Sequence, residues 1–238
     1  MNGLTAQRHS IDQRDLAEAP TTSRLGRFIP LAGLLFVALE IAGDFVIGPF
    51  PDSSTPTSKL VTFYAAHHTQ VWLGGMLYAW SAIPLVFFGA AIWARIRASA
   101  SHPVVAAAAL VGTAIAAMSQ LDGSGSYLTL GSIGDKSYLA PATLQTLHIG
   151  GSGGSAVGIG GIMIVLFAVA MAGIVGRAFP RWLAWPALVL AVLDMTPLGF
   201  LASLLFLLWA VVVSIVMCLR PADTAAAATP KPRPLGVS

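Results

Sequence analysis

Of 238 residues, 56% are hydrophobic and only 10% charged, where a soluble domain averages about 25% charged. Mean hydropathy is +0.78, so the surplus of apolar side chains excludes an ordinary water-soluble domain and makes lipid the expected solvent. The single cysteine, Cys218, excludes an intramolecular disulfide and a cysteine-rich metal site. The pI near 9.4 comes mostly from arginines at the edges of apolar runs, a placement that suits anionic headgroups rather than nucleic acid.

Residues 1–25 are polar and mixed in charge and are expected to form a disordered tail. No apolar run precedes Phe28, so no secretory leader is expected. A first span is expected over 28–48, with Pro30 in its first turn, where the missing N–H is harmless. The turn-rich segment PFPDSSTPTS follows. Leu60, Phe63 and Tyr64 then share a helical face, which predicts an amphipathic helix at the interface, separate from or continuous with a second span over 71–94. Pro84 lies inside that span. A third span is expected over 104–121, then a long loop from Asp122 to about Thr146, and a fourth span over 151–175. The last apolar stretch breaks at DMTPLG, giving spans over 179–194 and 198–219. Residues 221–238 read as a second disordered tail.

Eleven of the 13 basic residues fall in four clusters: Arg8, Arg14, Arg24 and Arg27; Arg95 and Arg97; Arg177 and Arg181; Arg220, Lys231 and Arg233. Cationic flanks stay on the cytoplasmic side. The expected architecture is therefore an all-α, polytopic bundle of six transmembrane helices in the plasma membrane, with N-terminus and C-terminus both cytoplasmic. Most of the six tryptophans sit near span ends, as interfacial anchors do.

An ionisable residue inside a span costs about 2.5–3.5 kcal/mol and so marks a candidate functional position. The threading places Glu40, Asp44, Asp122 and Asp194, with His67, His68 and His148, toward the outer face, and leaves the inner half without an acid. Glu40, Asp44, Asp122, His148 and Asp194 are the candidate ligand-binding residues. His67, His68 and His148 are weak metal candidates, because no pair has a diagnostic ligand spacing. Gly150, Gly154 and Gly158 recur every four residues and predict a side-chain-free face for close helix packing, within the bundle or in a homo-oligomer.

The run Gly150–Gly153 (GGSG) resembles the GxSG that opens the fourth helix of rhomboid intramembrane proteases, which implies Ser152 as a nucleophile. That family takes its base from a histidine on the sixth helix, and residues 198–219 contain none. His148, four residues upstream, is the nearest substitute. The block FYAAHHTQVWLGGMLYAWSAIPLVFFGAAIWARIR and the phrase FPRWLAWPALVLAVL are similar to uncharacterised multi-pass membrane proteins of actinobacteria. That resemblance covers most of 28–220, implies a bacterial inner-membrane protein of unknown activity and transfers no catalytic residue.

The expected function is non-enzymatic: an outward-facing polar pocket binding an ion or small polar ligand, or a membrane partner of other proteins. A small-molecule or ion transporter is the alternative, and an intramembrane hydrolase comes third. No cofactor and no nucleic-acid partner is expected.

Overall fold

The computed structural model describes residues 28–99, 102–134, 136, 139–153 and 155–219, with side chains at all of these except 151–153, 155–157 and 200. The expected tails lie outside the described residues. Among those described there are helices and no strand.

A 3-10 turn at Ile29–Leu31 carries Pro30 and leads into α1, Ala32–Ile47. Gly48 stops α1 in a left-handed conformation (φ +69°), which glycine adopts without a Cβ penalty. Helix α2 spans Thr57–Ala98 without interruption. The amphipathic segment and the second span are thus one rod of 42 residues, roughly 63 Å long at about 1.5 Å per residue. A hydrocarbon core is only about 30 Å thick, so about half of α2 must stand clear of it. Pro84 is buried within α2 and the helix continues through it. Helix α3, Pro103–Ile133, starts on a His102 cap whose ring accepts from the Val104 N–H at 3.3 Å.

The structure corrects the loop expected from Asp122 to about Thr146. Helix α3 continues to Ile133, and α4 already begins at Pro141 and runs to Gly153. Hydropathy falls at Asp122–Ser126, but that end of α3 lies against α2. A Cβ on Gly75 would stand 2.8 Å from Tyr127 Cβ, and one on Gly131 would stand 2.6 Å from the Trp72 backbone nitrogen. Packing against α2 supports the helix through this segment.

Helices α5 (Ser155–Ile174), α6 (Arg181–Leu193) and α7 (Gly199–Leu219) complete the described residues. The expected break in the last apolar stretch is a turn at 194–198. Among the described residues, four segments are long and apolar enough to cross a membrane: Ile29–Ile47, Thr57–Ala98, Pro103–Ile133 and Leu201–Leu219; Gly158–Ile174 and Arg181–Leu193 are shorter apolar helices.

Neighbours in space follow a ring: α1 beside α2, α2 beside α3, α3 beside α5, α5 beside α6, α6 beside α7, and α7 back against α1. The ring encloses a large core that includes Phe36, Phe88, Leu166, Val169, Leu183, Trp209 and many alanines. A second, separate core gathers Ile47, Leu60, Tyr64, Val71, Leu130 and Leu144 from the overhanging ends of α2 and α3, from α1 and from α4. We call this smaller part the head.

Helices α3 and α5 approach each other backbone to backbone. A Cβ on Gly112 would lie 2.8 Å from the Gly161 carbonyl oxygen, and one on Gly161 would lie 2.5 Å from the Ala116 nitrogen. Of the glycine face expected at Gly150, Gly154 and Gly158, Gly158 abuts Ser119 and Gly150 meets open space. Gly154 lies outside the described residues. The backbone contact therefore sits one turn beyond the expected stripe, with Gly161 as its centre.

Two of the basic clusters meet at the end of the ring opposite the head. Arg95 Nε donates to the Ala178 carbonyl at 2.9 Å, and its guanidinium lies 5.3 Å from the Phe179 ring centre. This joins the end of α2 to the α5–α6 connection.

Candidate functional site

The head-ward half of the molecule carries a chain of polar and aromatic contacts across four helices. Glu40 and Asp44 are four residues apart on α1, hence on one face. Glu40 Oε1 accepts from Ser81 Oγ on α2, and from Gln120 Nε2 on α3 at 2.7 Å. Three helices thus converge on one carboxylate oxygen. Asp44 Oδ1 accepts from the Tyr78 hydroxyl at 2.5 Å. Glycine makes this approach possible, since a Cβ on Gly43 would lie 2.6 Å from the Tyr78 ring. The Tyr78 ring lies 5.4 Å from that of Tyr127, and Tyr127 in turn lies 5.2 Å from Phe50.

Phe50 joins this chain to the head. Its ring centre is 5.3 Å from that of His148 and 5.7 Å from that of Phe63. His148 is buried. Its Nε2 lies 3.1 Å from the Asp52 carbonyl oxygen and its Nδ1 lies 3.0 Å from the Tyr64 hydroxyl. A carbonyl only accepts, so in the neutral ring the proton sits on Nε2 and Nδ1 accepts from Tyr64. The imidazole therefore pins the 48–56 loop to α2 and α4. Thr57 Oγ1, donating to Gln145 Oε1, fastens the same loop end to α4.

Asp52 organises the loop itself. Its carboxylate accepts from the Ser54 amide at 2.9 Å, from Ser54 Oγ at 2.7 Å and from Thr55 Oγ1 at 3.2 Å. Led by the Ser54 hydroxyl, these donors favour the charged form and hold the carboxyl below the usual carboxylate range.

Two hollows open here. Phe50, Pro51, Asp52, Tyr127, Leu130 and His148 line one of about 170 Å³. Leu121, Asp122, Gly125, Thr129 and Leu147 line the other, of about 340 Å³. Ser126 borders both, which places them side by side on α3.

The expected site residues divide accordingly. Glu40, Asp44 and His148 belong to one connected set, though His148 is joined to the acids only through aromatic rings. Asp122 is exposed on the larger hollow and has no partner among the described residues. Asp194 is buried at the end of α6, its Oδ1 unpaired, and no contact links it to the others. The metal candidates are not brought together. His67 stacks on Phe63 and faces its carbonyl oxygen at 3.0 Å, while His148 is held by Tyr64 and Asp52. Among the described residues no group of three histidine, cysteine or acidic side chains converges. The side chain of Ser152 lies outside those described, and both nitrogens of its nearest histidine, His148, already have partners.

Sequence reasoning missed Ser81, Gln120, Tyr78, Tyr127 and Phe50. The tyrosines carried a readable signal: a phenol in an apolar chain needs a partner for its hydroxyl, and the chain has only four. No protein-family model, curated protein or solved structure matches the chain.

Proposed function

We propose that the chain is a six-crossing plasma-membrane protein with both termini in the cytoplasm, whose head faces outward and binds a small polar ligand in the hollows beside His148 and Asp122. The ring of six helices supports six crossings. The two shorter ones, α5 and α6, are accommodated by local thinning of the bilayer or by snorkelling of Arg181. The observation that carries the reading is charge segregation. The Arg95 and Arg177–Arg181 clusters sit at one end of the ring, while Glu40, Asp44, Asp122 and the hollows sit toward the other. Cations held inside therefore turn the head outward. The resemblance to actinobacterial membrane proteins agrees with a bacterial inner membrane.

The test is labelling of Ser53→Cys in a Cys218→Ala background on intact cells with a membrane-impermeant maleimide. Labelling from outside, together with a carboxy-terminal tag reached only after permeabilisation, is the expected result. Protection of Cys at 53 until the cells are opened would overturn the orientation.

Transport is the second reading, favoured by one feature. Pro84 deprives the Trp80 carbonyl of its helical partner one residue from Ser81, which serves Glu40. A continuous helix that lacks one backbone bond beside a half-buried acid is a weaker form of the broken helices with which transporters build sites inside the membrane. Uptake by proteoliposomes that Glu40→Gln abolishes would favour it over a binding protein.

A further inference from the structure

The proposed outward site can be given a ligand class from its own chemistry. Each described carboxylate near the head has donors except one. Glu40 is served by Ser81 and Gln120, Asp44 by Tyr78, and Asp52 by Ser54 and Thr55. Asp122 has none among the described residues and borders the larger hollow. Among the described residues no lysine or arginine lines either hollow, so none neutralises Asp122 there.

The smaller hollow is of another kind. Phe50, Tyr127, Leu130 and Pro51 give it mainly apolar walls, and its volume is about 170 Å³. A protein cavity of about 150 Å³ with apolar walls accommodates one benzene ring. The two hollows are spaced by α3 itself. Asp122, Ser126 and Leu130 recur every fourth residue along one stripe, so an acid and an apolar wall stand about two turns, roughly 12 Å, apart with Ser126 midway.

We infer that the double hollow takes a small primary amine carrying one aromatic ring or a short alkyl group. The ammonium sits on Asp122 and the apolar end lies against Phe50, Tyr127 and Leu130. This rests on the outward binding site proposed above and adds the sign and shape of its occupant. A charge-assisted hydrogen bond supplies the ammonium preference, and burial of the ring supplies most of the remaining affinity.

Isothermal titration of the full chain in detergent micelles tests it with three probes of nearly equal shape: phenethylamine, neutral 2-phenylethanol and anionic 3-phenylpropionate. Phenethylamine is expected to bind about tenfold more tightly than the alcohol, and the acid not to bind. Asp122→Asn is expected to erase the difference between amine and alcohol. Phe50→Ala is expected to weaken both alike. Equal binding of amine and alcohol, unaltered by Asp122→Asn, would overturn the amine assignment and leave the outward hollow standing as a site. No heat with any probe would also overturn the amine assignment, and the labelling at position 53 would then decide the outward hollow independently.

Discussion

The bundle and the head are built from the same helices but obey different rules. In the bundle, apolar side chains face outward as freely as they face the core: Phe45, Met118, Val175 and Leu208 are all exposed. Hydrophobicity alone cannot hold such helices together in lipid, and small residues at close contacts do so instead. Gly112, Gly161 and Ala116 are that contact. In the head the core is small and rich in aromatics, and hydrogen bonds from Tyr64, His148 and Thr57 tie its loop to its helices. The lesson is that the bundle depends on shape and the head on polar satisfaction. Substitutions should therefore fail differently in the two regions.

The largest effect is expected in the bundle. Gly161→Val drives methyl groups into the α3 backbone, which must move away; a cost of about 3 kcal/mol or loss of folded protein follows. Thermal unfolding in micelles checks it, and an unchanged melting temperature would dismiss the α3–α5 contact as the fastening of the ring.

Next comes the junction. Ser81→Ala with Gln120→Leu removes both donors from Glu40 Oε1 and costs about 2 kcal/mol, because a half-buried carboxylate oxygen is left without its protein partners. Adding Glu40→Leu to that pair should restore much of the loss. A triple variant no more stable than the double would mean the carboxylate was already well hydrated.

In the head, Tyr64→Phe leaves His148 Nδ1 without its donor and costs about 1 kcal/mol. Faster proteolysis within the 48–56 loop, at unchanged bundle stability, is the expected readout. Loosening of the whole molecule would show that head and bundle do not behave separately.

The smallest effect is acid-dependent. Hydrogen bonds hold the Asp52 carboxyl below its usual range, so its ordering of the loop is complete at neutral pH. That ordering fades only as pH falls through the lowered value. Amide exchange at Ser54 should be slow at pH 7 and accelerate, relative to neighbouring exposed amides, toward pH 3. Asp52→Ala should show no such step.

Sequence alone located the apolar rods, because lipid demands long runs without charge and the runs are visible as such. It also marked Glu40 as an acid inside an apolar run, and the break at DMTPLG followed from Pro197 and Gly199. The continuation of α3 through Asp122 could not be read, since the glycines and serines after it look like a loop until α2 packs against this end of the helix. Gly161 was hidden behind a more conspicuous repeat at Gly150, Gly154 and Gly158. The donors Ser81 and Gln120 lie 41 and 80 positions from Glu40, and no local pattern marks a partner at that distance.

Solvent preference is a property of each segment, so it was written in the order of residues. Which acid met a donor and which stood open was decided only when α1, α2 and α3 came together. A carboxylate's partners are chosen by three-dimensional approach, and that approach was set by glycines whose value lies in the neighbour they admit.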